Sequence, residues 1–344
     1  MNIQTTATRA SMKLISLTRT FFLFLAFIIP ASNLFAEVHL TSTAHVRDST
    51  HKIRIVTTTP TFADIAAKIG GKYVDASSLM KGRENVHNVP PKPSFVMKLR
   101  HADFFIHAGL DGEPWVPQLL KTTRKPRIQV GAPGNIDASI GITLKEVPDR
   151  GTLSRANGDV HVYGNPHYMT DPLNGLIVAR HIRDVLSNYD PDHKDAYQAN
   201  YEDFEKKIHE MLDRLEKKLA PYRNEPVVVY HKAWPYFLDR FHLVEVGEIE
   251  PKPDIPPGPQ HLVDLGNLIR EKHVRVVIVD TFNPLKVGRK VAEDNGAVAV
   301  VLAANVHGIK GADDYFSLFE TDIDRLVKAF EQSKANESSA ANGN

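Results

Sequence analysis

The chain contains no cysteine among its 344 residues, and this absence excludes several kinds of chemistry together. There can be no disulfide, thiolate metal site, cysteine nucleophile or lipid-bearing N-terminal cysteine, so any bound metal must be held by nitrogen and oxygen. An excess of charge of either sign is also missing. The formal net charge is +1, which gives no electrostatic case for nucleic acid, and no basic stripe interleaves with aromatics. Familiar catalytic signatures are absent too. There is no Gly-x-Ser-x-Gly and no His-Glu-x-x-His, and Gly70-Gly71 and Gly308-Ile309-Lys310-Gly311 lack the spacing of a phosphate loop. The one markedly apolar run, Phe21–Ile29, is too short to span a bilayer.

What is present is ordinary globular composition, 42% hydrophobic and 24% charged, in a chain long enough for two domains. Lys13 and Arg19 precede the apolar run, Pro30 breaks it, and small residues lead to Ala36. Residues 1–36 therefore read as a secretory signal cleaved near Ala36, with residues 1–11 as an extension upstream of Met12. Residues 37–52 read as a polar leader carrying His39, His45 and His51. The mature protein is expected to be exported, soluble and periplasmic, with no stable membrane insertion once the signal is removed.

From Ile53 strand-like and helix-like pieces alternate. Ile53–Thr57, Tyr73–Leu79 and Ala102–Ile106 are strand candidates in the first half. Val227–Tyr230, Val274–Val279 and Val298–Leu302 are their counterparts in the second. Amphipathic stretches between them imply βαβ units and parallel sheets. Between the halves Tyr197, Tyr201, Phe204, Ile208, Met211, Leu215 and Leu219 recur at steps of three and four, the mark of one long helix on the order of 40 Å. The expected fold class is α/β: two lobes, each with a mostly parallel sheet flanked by helices, joined by that spine. The boundaries are an N-terminal lobe over 53–190, the spine over 191–221 and a C-terminal lobe over 222–332. Residues 333–344, polar and small, are expected to be disordered.

Three histidines stand out. His87 lies in Asn85-Val86-His87-Asn88-Val89-Pro90-Pro91, His167 in Asn165-Pro166-His167-Tyr168, and His231 directly after Val227–Tyr230 with Trp234, Tyr236 and Phe237 behind it. Neutral imidazole is the commonest protein ligand for a borderline-soft divalent metal, and three leave one position for a carboxylate or water. Ligands of open α/β sheets bind at the carboxyl ends of strands, where His231 and Asp280 both fall. Pro and Asn beside His87 and His167 fix turns that aim a side chain.

These segments resemble the periplasmic zinc- and manganese-binding receptors of ABC importers. The resemblance runs from about Ile53 to Phe330 and rests on four segments: His87 before Pro90-Pro91-Lys92-Pro93-Ser94, then Ala102-Asp103, then Asn165-Pro166-His167-Tyr168-Met169-Thr170-Asp171-Pro172, then Tyr230-His231-Lys232-Ala233-Trp234-Pro235-Tyr236-Phe237. It implies metal bound between two lobes by His87, His167 and His231, and delivery to a membrane permease, with no catalysis and with the receptor a monomer. Manganese receptors of this kind look to have Glu where this chain has His231, so the transported ion is expected to be Zn²⁺ rather than Mn²⁺, as imidazole chemistry also favours. Many relatives carry Asp just after the strand equivalent to Val298–Leu302, whereas Ala303-Ala304-Asn305 stands here. The fourth ligand is then Asp280, His307 or water, with Asp280 preferred for its strand-end position. The segment Gly151–His161 also lacks the His- and Asp-rich loop of some zinc receptors. Two other readings of the same residues are a zinc-dependent hydrolase and a metal chaperone or adhesin that passes metal to another protein.

Overall fold

The structure is a computed structural model that describes residues 52–148, 162–252 and 255–342; the expected signal, leader and Gly151–His161 segment lie outside them. Residues 48–344 form one compact unit. The first half contributes β1 (Ile53–Thr57), α1 (Pro60–Gly70), β2 (Val74–Ser78), α2 (Pro93–His101), β3 (Phe104–His107), α3 (Val116–Thr123) and β4 (Asn135–Asp137). Next come α4 (Asn174–Tyr189) and the long α5 (Lys194–Leu219). The second half contributes β5 (Pro226–Val229), α6 (Pro235–Arg240), β6 (Val244–Glu248), α7 (Pro259–Glu271), β7 (Val276–Asp280), α8 (Leu285–Asp294), β8 (Val298–Leu302) and α9 (Tyr315–Asn342).

The strands make two four-stranded sheets, ordered β2-β1-β3-β4 and β6-β5-β7-β8. Every pairing is parallel. In each sheet the first strand is flanked by the next two, so the chain direction reverses around it. The crevice at such a reversal, beyond the carboxyl ends, is where open α/β sheets bind ligands.

Parallel sheets need cover on both faces, and the side-chain alternation provides it. In β7, Val276 and Ile278 enter the core that holds α5 and α9, while Val277 and Val279 pack on Leu265, Ile269 and Val291 of α7 and α8. In the first sheet, Ile53, Ile55, Phe104 and Ile106 join the α5 core, while Val56 and Phe105 meet Phe95, Leu99 and Leu119 of α2 and α3. Apolar residues of α5, from Tyr197 to Leu219, therefore share one core with strands of both sheets. The expected spine is this helix.

Local signals set the boundaries. Thr59 Oγ1 accepts from the Phe62 amide at 3.4 Å with Pro60 next in line, and α1 ends at Gly71, whose φ of 54° suits glycine. Beyond β8, the loop reaches back to the first half: a Cβ on Gly82 would lie 2.0 Å from the Val306 carbonyl oxygen. Thr61 Oγ1 donates to Asn305 Oδ1 at 3.0 Å and accepts from the Val306 amide at 3.1 Å.

Into the residues expected to be disordered, α9 runs on to Asn342. Its start is nucleated by packing, with Tyr315, Leu318, Ile323, Leu326 and Phe330 buried. Ser-Lys-Ala-Asn-Glu-Ser-Ser-Ala-Ala-Asn then offers no Pro or Gly before Gly343, so each further residue adds a helical hydrogen bond at little cost.

The shared core carries a stability test. Phe204 is 2% exposed, with its ring 5.7 Å from Tyr315 and 5.3 Å from Phe316. Phe204→Ala should cost about 3–5 kcal/mol and lower a single unfolding transition, measured in urea by fluorescence and circular dichroism. Separate transitions for the two halves would show that α5 does not join their cores.

Candidate metal centre

Each of the three histidines sits on a loop that a strand or turn holds in place. His87 lies between β2 and α2, and Asn85 Oδ1 accepts from its amide at 3.0 Å. His167 precedes a single helical turn, Tyr168–Thr170, and Asn165 Oδ1 accepts from its amide at 2.9 Å. His231 lies just beyond β5 and is 4% exposed, with its ring 6.0 Å from that of Phe282. The fold brings these three together: one ligand atom of each lies within 4.8 Å of those of the others. The described residues supply no other His, Asp or Glu to that group.

The outer nitrogen of every ring is engaged by an oxygen. His87 Nδ1 is 2.8 Å from the Gly112 carbonyl, His167 Nδ1 is 3.0 Å from Asn165 Oδ1, and His231 Nδ1 is 2.7 Å from Glu250 Oε2. A carbonyl, an amide oxygen and a carboxylate can only accept, so each Nδ1 carries the hydrogen and each Nε2 is left to present a lone pair. Such outer partners fix the tautomer and raise ligand basicity. Gly112 and Glu250 were not legible in sequence. Both follow strands whose ends point at the crevice, and Glu250 comes just after β6, a strand too polar to be read from its pattern.

Asp280 and His307 stand apart from the group. Asp280 is 2% exposed at the end of β7, and its Oδ1 accepts from Trp234 Nε1 at 2.9 Å. Burial pushes its carboxyl up to about 7, against the attraction of His231 and the Trp234 hydrogen bond. His307 is exposed, at a φ of 62°, and its amide donates to the Ala312 carbonyl at 2.6 Å. Next to the histidines lies a cavity of about 50 Å³, lined by Thr59, Ala108, Gly112, His167, Thr281 and Asn305 among others. It has room for an ion and a water or two, and far less than small-molecule sites of roughly 300 Å³ and more.

His87 Nε2 and His167 Nε2 are 3.0 Å apart. Two lone pairs cannot face each other at that distance, so a proton must sit between them when no metal does. Tetrahedral zinc, with Zn–N of about 2.0–2.1 Å, holds its nitrogens roughly 3.3 Å apart, close to what the pair already has. Zinc binding near neutral pH should therefore release about one proton per ion. Calorimetry in buffers of different ionisation enthalpy measures this, and release of no proton would contradict the arrangement.

Comparisons with known proteins show the family. The family model of ZnuA, the periplasmic component A of the zinc-uptake complex, matches residues 55–329. The chain is similar to the iron-binding protein YfeA of Yersinia pestis, 26% identical over 294 residues covering 83% of this chain and 88% of YfeA. It is also similar to the zinc-binding protein AdcA of Streptococcus pyogenes, 23% identical over 287 residues covering 80% of this chain and 55% of AdcA, so it spans about half of that relative. Among solved structures, a crystal structure of ZnuA superposes with a TM-score of 0.69 at 25% identity, covering 81% of this chain and 100% of that one. The match takes in both sheets, α5 and all three histidines, and the chain belongs to the ZnuA family of periplasmic metal-uptake components.

Proposed function

We propose that this chain captures one divalent ion, Zn²⁺, between its two sheets with His87, His167 and His231, and hands it to the membrane permease of an ABC importer. The observation that carries the reading is the set of three imidazoles whose Nδ1 atoms are all engaged, leaving three Nε2 atoms to converge. Three neutral nitrogens suit zinc, whereas manganese prefers carboxylate oxygen. The family includes relatives named for zinc and for iron, so the metal is assigned here from the donor set. Water completes the tetrahedron, because neither Asp280 nor His307 belongs to the group of converging ligand atoms. The receptor acts as an exported monomer in the periplasm. Among the described residues no helix is long and apolar enough to cross a membrane.

A zinc hydrolase also uses three ligands and an activated water. Two observations favour carriage instead. The cavity is about 50 Å³, and the Glu250 carboxylate beside His231 is already bonded to His231 Nδ1.

Titration calorimetry with a competing chelator should give one zinc per chain at sub-micromolar affinity, tighter than manganese or ferrous iron, and weaker below about pH 6 as imidazoles protonate. His167→Ala should weaken it far more than replacing His39, His45 and His51 together. Several equal, weak sites would refute a central centre.

The fourth position is open to a separate measurement. Asp280→Ala should weaken zinc by roughly 10–100-fold while the visible spectrum of the cobalt-substituted protein is unchanged, and His307→Ala should alter neither. A changed cobalt spectrum in either variant would make that residue a ligand in place of water.

A further inference from the structure

Asn165 does more than accept from His167. Its side chain is 5% exposed and uses every hydrogen-bonding position an amide has. Oδ1 accepts from the His167 amide at 2.9 Å and faces His167 Nδ1 at 3.0 Å. Nδ2 donates to Glu146 Oε2 at 2.9 Å and to the Lys232 carbonyl at 2.8 Å. The assignment of oxygen and nitrogen is forced, because a backbone amide can only donate and a backbone carbonyl can only accept. Lys232 is the residue after His231, and its Nζ lies 3.2 Å from Glu146 Oε1. Asn165, Glu146 and Lys232 thus close a ring that joins the segment before His167 to the segment after His231. A fourth tie is Tyr236, whose hydroxyl donates to the Asn165 carbonyl at 2.8 Å.

We infer that Asn165 is a positioning residue that sets two quantities at once: the tautomer of His167 through Oδ1, and the placement of His167 against His231 through Nδ2. The inference rests on the proposed three-histidine site. Its distinctive consequence is that the two halves of the side chain are separable. Asn165→Asp keeps an acceptor for His167 but removes both donors and sets a carboxylate against Glu146 and the Lys232 carbonyl. Asn165→Ala removes everything. Thr170 Oγ1 also lies between the two segments, 2.8 Å from the His167 carbonyl and 3.5 Å from the Ala233 carbonyl, whereas Asn165 meets the His167 ring itself.

Nitrogen-15 spectra of the metal-free protein report the His167 tautomer, and zinc titration reports the site. Asn165→Asp should keep the Nδ1–H form of His167 yet raise the zinc dissociation constant about 10–100-fold, whereas Asn165→Ala should give mixed tautomers and at least as large a loss. Thermal melts accompany both variants. A fall in melting temperature with the His167 signals and zinc affinity within twofold of the starting protein would reduce Asn165 to a structural role and overturn the inference, as would mixed tautomers in Asn165→Asp. Because the tautomer is read without metal, it tests Asn165 even if the unaltered protein binds no zinc, a result that would sink the proposed function alone.

Discussion

Three imidazole nitrogens are crowded at one point, two of them 3.0 Å apart, and the rest of the molecule is arranged to hold them there. A histidine left to itself turns its ring, changes tautomer or takes a proton. Here each ring is pinned at the far nitrogen by an oxygen from a different source: the carbonyl of Gly112, the amide of Asn165 and the carboxylate of Glu250. A metal ion can take the place of the proton between His87 and His167, so the affinity for metal is partly stored in the metal-free fold. This is preorganisation: the cost of gathering the ligands is met during folding rather than during binding.

That arrangement depends on two sheets whose carboxyl ends face one crevice. His231 comes from the end of the second sheet's first strand, and Gly112 and His87 from loops of the first sheet. Neither sheet could hold the set alone. The apolar face of α5 makes the pairing firm, since Tyr201, Phe204, Ile208 and Leu215 lie in the same core as Ile55 and Ile278. Burial of such side chains contributes roughly 1.5–3 kcal/mol each, which is ample to keep two small sheets in register with one helix.

Much of this is legible in the sequence. Val276–Val279 announce a strand buried on both faces, and the three-four spacing of α5 admits no other reading. The histidines were found because imidazole is rare enough in short Pro- and Asn-flanked loops to be noticed. The supporting atoms were not found, for a physical reason: a backbone oxygen such as that of Gly112 carries no letter of its own. Strands β4, Asn-Ile-Asp, and β6, Val-Glu-Val-Gly-Glu, are short and polar edge strands whose pairing comes from their neighbours. The helical course of the tail is not legible because low hydrophobicity argues against packing, yet a helix already nucleated by Phe330 and its neighbours needs none to continue.

The close approach of Gly82 to the loop after β8 has a consequence of its own. There the two halves meet backbone to backbone, with no side chain between Gly82 and the Val306 carbonyl. A backbone contact covers less apolar surface than a leucine-lined seam, so parting it would forfeit less hydrophobic stabilisation. A receptor that must let go of its cargo is better served by a rim that meets without sticking.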